Sequence, residues 1–206
     1  MATVAGNVPE QGGDNSTKIR EIDFVDYRDE SLLDSVMSLV GRDLSEPYSS
    51  KTDYRTCFFL VISLVHLIHL LLQVFTYRYF LHRFPELCIL AVDKDNPTEP
   101  IGCVVGKVDT EETIVNGKVQ KVKTGYIGML AVNATHRRLG IGTALVKQVL
   151  RRMQEIGCTS VTLETEVSNK AAQKLYQDTF GFIREELLVR YYLNWGDAYR
   201  LRLWLS

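Results

Sequence analysis

The sequence predicts an α/β (α+β) domain: a mixed, mostly antiparallel sheet of about seven strands with helices on both faces. Three observations lead there. Apolar periodicity switches between helical and strand steps in the order β, α, a short α, three β, α, β, α and two β. Ile141, Leu145, Val149, Met153 and Ile156 form one continuous helical stripe. Residues 161 to 166 (VTLETE) alternate with a period of two, the mark of a half-buried strand.

Taken in order, residues 1–17 are polar, Gly-rich and aperiodic, and read as a disordered tail. One domain is expected over 18–206, interrupted by an apolar insert at about 50–74. A first strand is expected from Ile19 to Tyr27, with Ile22, Phe24 and Val25 as its inward candidates. A helix follows from about Glu30 to Leu44, with Leu32, Leu33, Val36, Leu39 and Val40 on one face. The chain breaks before Pro47. A short helix is expected from Thr76 to Arg83. Leu87–Val92 and Ile101–Val108 are apolar enough for inner strands. Asn116-Gly117 signals a hairpin into a strand from about Lys121 to Val132. In the next helix Lys147, Gln148, Arg151 and Gln154 lie outward, and Gly157 suits the C-terminal cap. Val161, Leu163 and Thr165 share one strand face; Thr162, Glu164 and Glu166 share the other. Ser168 or Asn169 caps the next helix, which turns Ala172, Leu175 and Tyr176 inward and ends at Gly181. Phe182–Leu193 and Ala198–Leu205 close the chain as strands around Asn194-Trp195-Gly196-Asp197.

Composition removes several function classes. The 206 residues suffice for one domain with a substantial core, and the net charge is −1. A general nucleic-acid binder would carry a basic excess. Cys57, Cys88, Cys103 and Cys158 show no metal or disulfide spacing and read as buried, reduced thiols of a cytoplasmic protein. The first 20 residues hold no apolar stretch of the signal-peptide kind.

The informative motif is Arg137-Arg138-Leu139-Gly140-Ile141-Gly142, placed between a β-prone run and a helix. Bare glycine backbone, the unpaired N–H groups of a first helical turn and the positive end of the helix dipole converge on one point. That is an anion site, suited to a diphosphate. The spacing fits neither a P-loop nor a dinucleotide fingerprint.

This R-x-x-G-x-G loop resembles the pyrophosphate loop of the GNAT superfamily of N-acetyltransferases. Gly125–Val132, the loop, Leu163–Val167 and Asn169-x-x-Ala172-x-x-Leu175-Tyr176 follow that family's pattern in order. Residues 44–49 (LSEPYS), 75–80 (FTYRYF) and 190–194 (RYYLN) with Asp197-Ala198 resemble one branch of it, the catalytic subunits of the N-terminal acetyltransferase C (NatC) complex. The resemblance implies a GNAT fold and transfer of acetyl from acetyl-CoA, without a metal, to nascent polypeptide N-termini that begin with Met and a bulky apolar residue. It also implies two auxiliary subunits and the ribosome as partners. A lysine or small-amine acetyltransferase is the alternative among enzymes.

The resemblance assigns roles. Glu164 is the expected base, acting through a water on an α-amino group whose ordinary pKa is about 7.7–8.0. Desolvation at mid-strand favours its protonated form. A solvent-facing strand carboxylate is the plain alternative, and Glu166, on the same face, is the alternate base. Tyr176 would protonate or hydrogen-bond the leaving thiolate, or is simply a core aromatic. Met129, Leu130, Ala131 and Val132, with Arg137, Arg138, Leu139, Gly140, Ile141, Gly142, Thr143, Asn169 and Tyr176, are expected at the cofactor. Main-chain N–H groups near Leu130 and Val132 would hold the pantetheine and polarise the carbonyl. Glu46, Pro47, Tyr48, Tyr126, Tyr191 and Tyr192 are expected at the peptide.

Two departures from the family pattern stand out. About 25 residues, Ser50 to Val74, separate two motifs that nearly adjoin in the family, and Cys57–Leu72 is apolar on every side if helical. Three readings compete: a membrane span, which would split one domain across a bilayer; a surface or partner-binding helix; and an accidental insert, such as a translated retained intron in a variant transcript or gene model. If the insert displaces Glu46 or Tyr48, the chain becomes a cofactor-binding but poorly active variant acting as an interaction or membrane-associated protein. His66 and His69 lack a third metal ligand. The second departure is four residues between Tyr176 and Gly181, where three are usual; it is expected to alter the helix end beside Tyr176.

Overall fold

The computed structural model describes residues 22–28, 30–43, 75–115, 118–192 and 194–205. The expected tail, the Glu46-Pro47-Tyr48 loop, the 50–74 insert with His66 and His69, Cys57, and the Asn116-Gly117 turn lie outside the described residues.

Seven strands form one sheet in the order β1-β2-β3-β4-β5-β7-β6. They are β1 (Ile22–Asp26), β2 (Cys88–Asp93), β3 (Asn96–Val115), β4 (Lys118–Val132), β5 (Ser160–Glu166), β6 (Ile183–Leu188) and β7 (Ala198–Trp204). All neighbours are antiparallel except β4 and β5, which run parallel. A 3₁₀ turn (Glu30–Leu32) leads into α1 (Leu33–Asp43), and α2 spans 75–83. α3 is Ile141–Glu155, and α4 is Lys170–Gln173, continued by a π-helical turn over Lys174–Thr179.

Two cores sandwich the sheet. On one face α3 buries Ile141, Leu145, Val149 and Met153 against Ile89, Val104, Ile127, Val161 and Leu201. On the other, Val36 and Val40 of α1 and Tyr77, Phe80 and Leu81 of α2 cover Leu90, Cys103, Val105 and Ala131. Each fully buried aliphatic contributes about 1.5–3 kcal/mol before the opposing loss of entropy. β2 feeds both cores: Ile89 and Ala91 face α3, while Cys88, Leu90 and Val92 face α1. That explains its unbroken apolar run.

Strand ends depart from expectation for local reasons. β3 reaches back to Asn96 past Pro97 and Pro100, where register shifts opposite Val92 and Asp93 accommodate residues that lack a donor. β3 and β4 continue as a ribbon to Val115↔Lys118. The last hairpin stops being a strand after Leu188 because Arg190 takes a left-handed conformation (φ 54°). Its N–H donates to Asp197 Oδ1 at 2.7 Å. Gly157 ends α3 with φ 89°, in keeping with its place in the sequence.

Candidate active site

A gap in the sheet makes the site. β4 and β5 pair only at Thr124↔Ser160, Gly125↔Val161 and Tyr126↔Thr162, and then part. Just beyond, successive β3 residues Val105 and Gly106 face Met129 and Ile127, so Gly128 is the extra residue of a β-bulge. A glycine fits closely there: a Cβ would sit 3.2 Å from the Phe80 ring of α2. The Asn133 N–H donates to Ile101 O at 2.8 Å. Antiparallel alternation then directs the main chain of Leu130 and Val132 into the gap. A cavity of about 860 Å³ fills it, running from the start of α3 to Tyr191 and Tyr192.

One end of the cavity is built for an anion. Asn133 Oδ1 accepts from the Thr135 N–H at 3.2 Å and fixes the short turn Ala134–His136 after β4. Arg138 (φ 62°) and Gly140 (φ 81°) then bend the chain through left-handed conformations. The first intrahelical bond of α3 runs from the Ala144 N–H to Gly140 O at 2.9 Å. Thus the amides of Ile141, Gly142 and Thr143 have no helical acceptor, and Gly140 supplies no side-chain cap. His136, Arg137 and Arg138 stand beside them in the cavity wall.

The other end holds the carboxylate. Glu164 lies mid-strand on β5 with its side chain 8% exposed. Oε2 accepts from the Tyr126 hydroxyl at 2.8 Å, and Oε1 accepts from Arg200 Nε at 3.1 Å. Burial, then the charge of Glu164 and the hydrogen bond to it, push the Tyr126 phenol far above its usual range. The bond to Glu164 likewise raises Arg200, which stays a cation. Burial pushes Tyr192 up, with Tyr191, Glu166 and Glu164 adding to the effect. The tyrosine rings of 191 and 192 meet edge to face with centroids 5.2 Å apart.

Tyr176 lines the same cavity. Asn169 caps α4 by accepting from the Ala172 N–H at 3.0 Å. Gln173, buried, donates to Val167 O at 2.8 Å and anchors the helix to the end of β5. Tyr176 is 5% exposed yet lines the cavity. Burial raises its phenol strongly, so the hydroxyl keeps its proton.

The cavity thus gathers Tyr126, Met129, Leu130, Val132, Arg137, Arg138, Gly140, Ile141, Gly142, Thr143, Glu164, Asn169, Tyr176, Tyr191 and Tyr192. Two expected residues fall elsewhere. Ala131 points to the opposite core, and Leu139 packs against the α3 core. Sequence reasoning missed Arg200, which sits on β7 directly opposite Glu164. The spacing from 164 to 200 carries no periodic signal; only the strand pairing reveals it. It also missed Thr76 and Phe80 as cavity lining, since both read as ordinary residues of a short helix. Among the described residues no cluster of three His, Cys, Asp or Glu could hold a metal, and no helix is long and apolar enough to cross a membrane.

Comparison with known proteins agrees with this geometry. Residues 41–182 match the model of the Acetyltransferase (GNAT) family. N-alpha-acetyltransferase 30 of Xenopus laevis is 40% identical over 97% of this chain, which spans only 59% of that relative's length. The Saccharomyces cerevisiae protein of the same name is 40% identical over 88% of this chain, and 86% of it is covered. A chain of the NatC complex, crystallised with Gag peptide and CoA, superposes with a TM-score of 0.70 at 39% identity, covering 90% of this chain and 99% of that one.

Proposed function

The chain belongs to the GNAT acetyltransferase family and, within it, to the N-alpha-acetyltransferase 30 branch, and we propose that it moves acetyl from acetyl-CoA to the α-amino group of nascent chains that begin with Met and a bulky apolar residue. The observation that supports this most is one cavity with a cationic, amide-lined end and a sheltered carboxylate at the other end. The residues present fit the coenzyme. The free amides of 141–143 with Arg137 and Arg138 suit its diphosphate, and the opened edge of β4 suits the pantetheine arm.

When bound, acetyl-CoA supplies an activated acetyl thioester. The chain's own residues do the rest. Glu164, in the cavity wall, collects, through a water, the proton that makes the amine nucleophilic. Outward N–H groups of 130 and 132 stabilise charge developing on the carbonyl oxygen. Tyr176, kept protonated by burial, donates to the departing sulfur. Tyr126, Tyr191 and Tyr192 give an apolar slot with hydroxyl handles for the first peptide side chains. Glu46, Pro47 and Tyr48, outside the described residues, complete that slot by resemblance. Two auxiliary subunits, the ribosome and a cytoplasmic setting belong to the same reading.

The test is a paired assay on the full chain and on a chain lacking 50–74, with acetyl-CoA and either a Met-Leu peptide or a peptide with an internal lysine. Expected are transfer to the Met-Leu terminus, not to the lysine, and faster transfer by the deletion. Equal lysine acetylation overturns the assignment. No gain on deletion makes the 50–74 segment part of the working structure.

A further inference from the structure

We propose that Arg200 is a positioning residue of the transfer reaction: its guanidinium bridges Glu164 and Glu186 and so fixes the carboxylate that receives the amine proton. This rests on the reading of Glu164 as the base.

Strand pairing places the three residues in line. Glu164 on β5 lies directly opposite Arg200 on β7, and Arg200 directly opposite Glu186 on β6. Arg200 Nε reaches Glu164 Oε1 at 3.1 Å and Nη1 reaches Glu186 Oε2 at 3.0 Å. A register shift between Arg184 and Glu186 makes this possible. It brings Glu186 opposite Arg200 and leaves Glu185 to Arg202, whose Nε it meets at 2.7 Å. Two consecutive acids thus serve two arginines of one face.

The pair differs from the ordinary surface kind. Arg151 and Glu155 of α3, for example, are 72% and 61% exposed, and such pairs contribute little. Glu164 is 8% exposed against 37% for Arg200. One partner is sheltered in the cavity wall while the other reaches outward to a second acid, as a brace would. With Tyr126 on Oε2 and Arg200 on Oε1, both carboxylate oxygens are tied, and the plane of the group is set by residues of β4 and β7. A lysine, a single point charge, cannot hold two acids in this forked geometry.

The ionisable groups that face Glu164 are Tyr126 of β4, with Lys107 of β3 over its ring; Glu166 of β5; Arg200 of β7; Glu185 and Glu186 of β6, around Arg200; and Tyr191 and Tyr192 of the last hairpin. Arg200 is the cation bonded to the carboxylate. Its loss makes the ionised form of the base costlier, so the acidic limb of the rate profile moves to higher pH.

The experiment compares Arg200→Met, Arg200→Lys and Arg202→Met in the full chain, after melting and calorimetry with CoA establish that each is folded. For Arg200→Met the expected result is a kcat lower by about tenfold to a hundredfold, an unchanged KM for acetyl-CoA, and an acidic limb raised by about one pH unit or more. Arg200→Lys should fall between, and decides alone if the Met variant does not fold. Arg202→Met, the same chemical change two residues along, should leave the limb in place. An unmoved limb in both Arg200 variants, a fully wild-type Arg200→Lys, or an equal shift in Arg202→Met overturns the inference. Glu164→Gln separates the two levels: if its acidic limb persists, the base assignment fails instead. If the parent chain shows no turnover, carbon NMR titration of the Glu164 carboxyl decides: a raised midpoint in the Arg200 variant supports the brace, and an unchanged one refutes it.

Discussion

Replacing Glu164 by Gln tests the chemistry with little disturbance of the fold. The side chain is 8% exposed and held from two sides, by Arg200 Nε at 3.1 Å and by the Tyr126 hydroxyl at 2.8 Å. Glutamine has the same shape. Its amide oxygen accepts from Arg200, and its amide nitrogen donates to the Tyr126 oxygen, which can accept as readily as donate. The cavity wall therefore persists. Two charge-assisted bonds become ordinary ones, and with Arg200 37% exposed that costs stability only about 1 kcal/mol. The catalytic loss is larger. A positioned general base contributes about 10²–10⁴ in rate, which is about 2.7–5.4 kcal/mol on the barrier. Steady-state release of CoA thiol with a Met-Leu peptide reads this directly. Affinity for acetyl-CoA, measured by calorimetry, should not change, because the anion site lies at the far end of the cavity around Gly142. Turnover within about threefold of the parent would refute the base role, and Glu166→Gln would then be the variant that abolishes it.

The same geometry sets two further outcomes. Gly142→Ala should separate stability from binding: a Cβ there meets nothing of the protein closer than 3.8 Å, so folding stability holds or gains up to about 1 kcal/mol of helix propensity, while the added methyl crowds the bare amides and weakens CoA at least tenfold (about 1.4 kcal/mol); thermal melts and calorimetry on one sample check both signs. Tyr77, Tyr126, Tyr176 and Tyr192 are all raised, chiefly by burial. Their unfolded value is near about 10, so the stability they confer is fully present below that pH and is lost as pH rises toward the higher folded values. Phenolate absorbance of these four should appear together with unfolding, and all ten tyrosines ionising in one step near pH 10 with the fold intact would contradict it.

Much of the architecture was legible because it rests on local periodicity. The α3 stripe, the alternation of Val161–Glu166, the Asn169 cap and the Gly157 stop each act within a few residues and are found where the pattern puts them. Of the site, the anion end was legible for the same reason: three amides, two glycines and two arginines are consecutive in sequence. The carboxylate end was legible only in part. Alternation turns Glu164 off the apolar face, but that its oxygens are shared between Tyr126 and Arg200 depends on which strands neighbour β5. The sequence pattern points to desolvation alone as the influence on Glu164; the structure adds an ion pair that sequence spacing cannot reveal. Ala131 shows the limit of assigning a run wholesale. Period-two alternation sends its side chain to the α1 core and those of Leu130 and Val132 to the α3 face, while the main chain of 130 and 132 turns toward the gap.

The extra residue between Tyr176 and Gly181 shows how a helix absorbs an insertion beside a site. In an α-helix each added residue rotates the downstream chain by about 100°, which would swing Phe182 away from Tyr176. Instead Lys174–Thr179 widens into a π-helical turn, the usual way a helix takes up one residue. The Gly181 N–H still reaches Gln177 O at 3.1 Å, and the Phe182 N–H reaches Tyr176 O at 3.0 Å. The two rings meet edge to face at 5.5 Å. The π-helical turn thus leaves Tyr176 in the cavity wall. The 50–74 segment precedes α2 directly in sequence, and α2 brings Thr76 and Phe80 to the cavity. If the 50–74 segment governs turnover, the position of α2 is where it acts, and acetyl transfer to the Met-Leu terminus should respond to the deletion while CoA affinity does not.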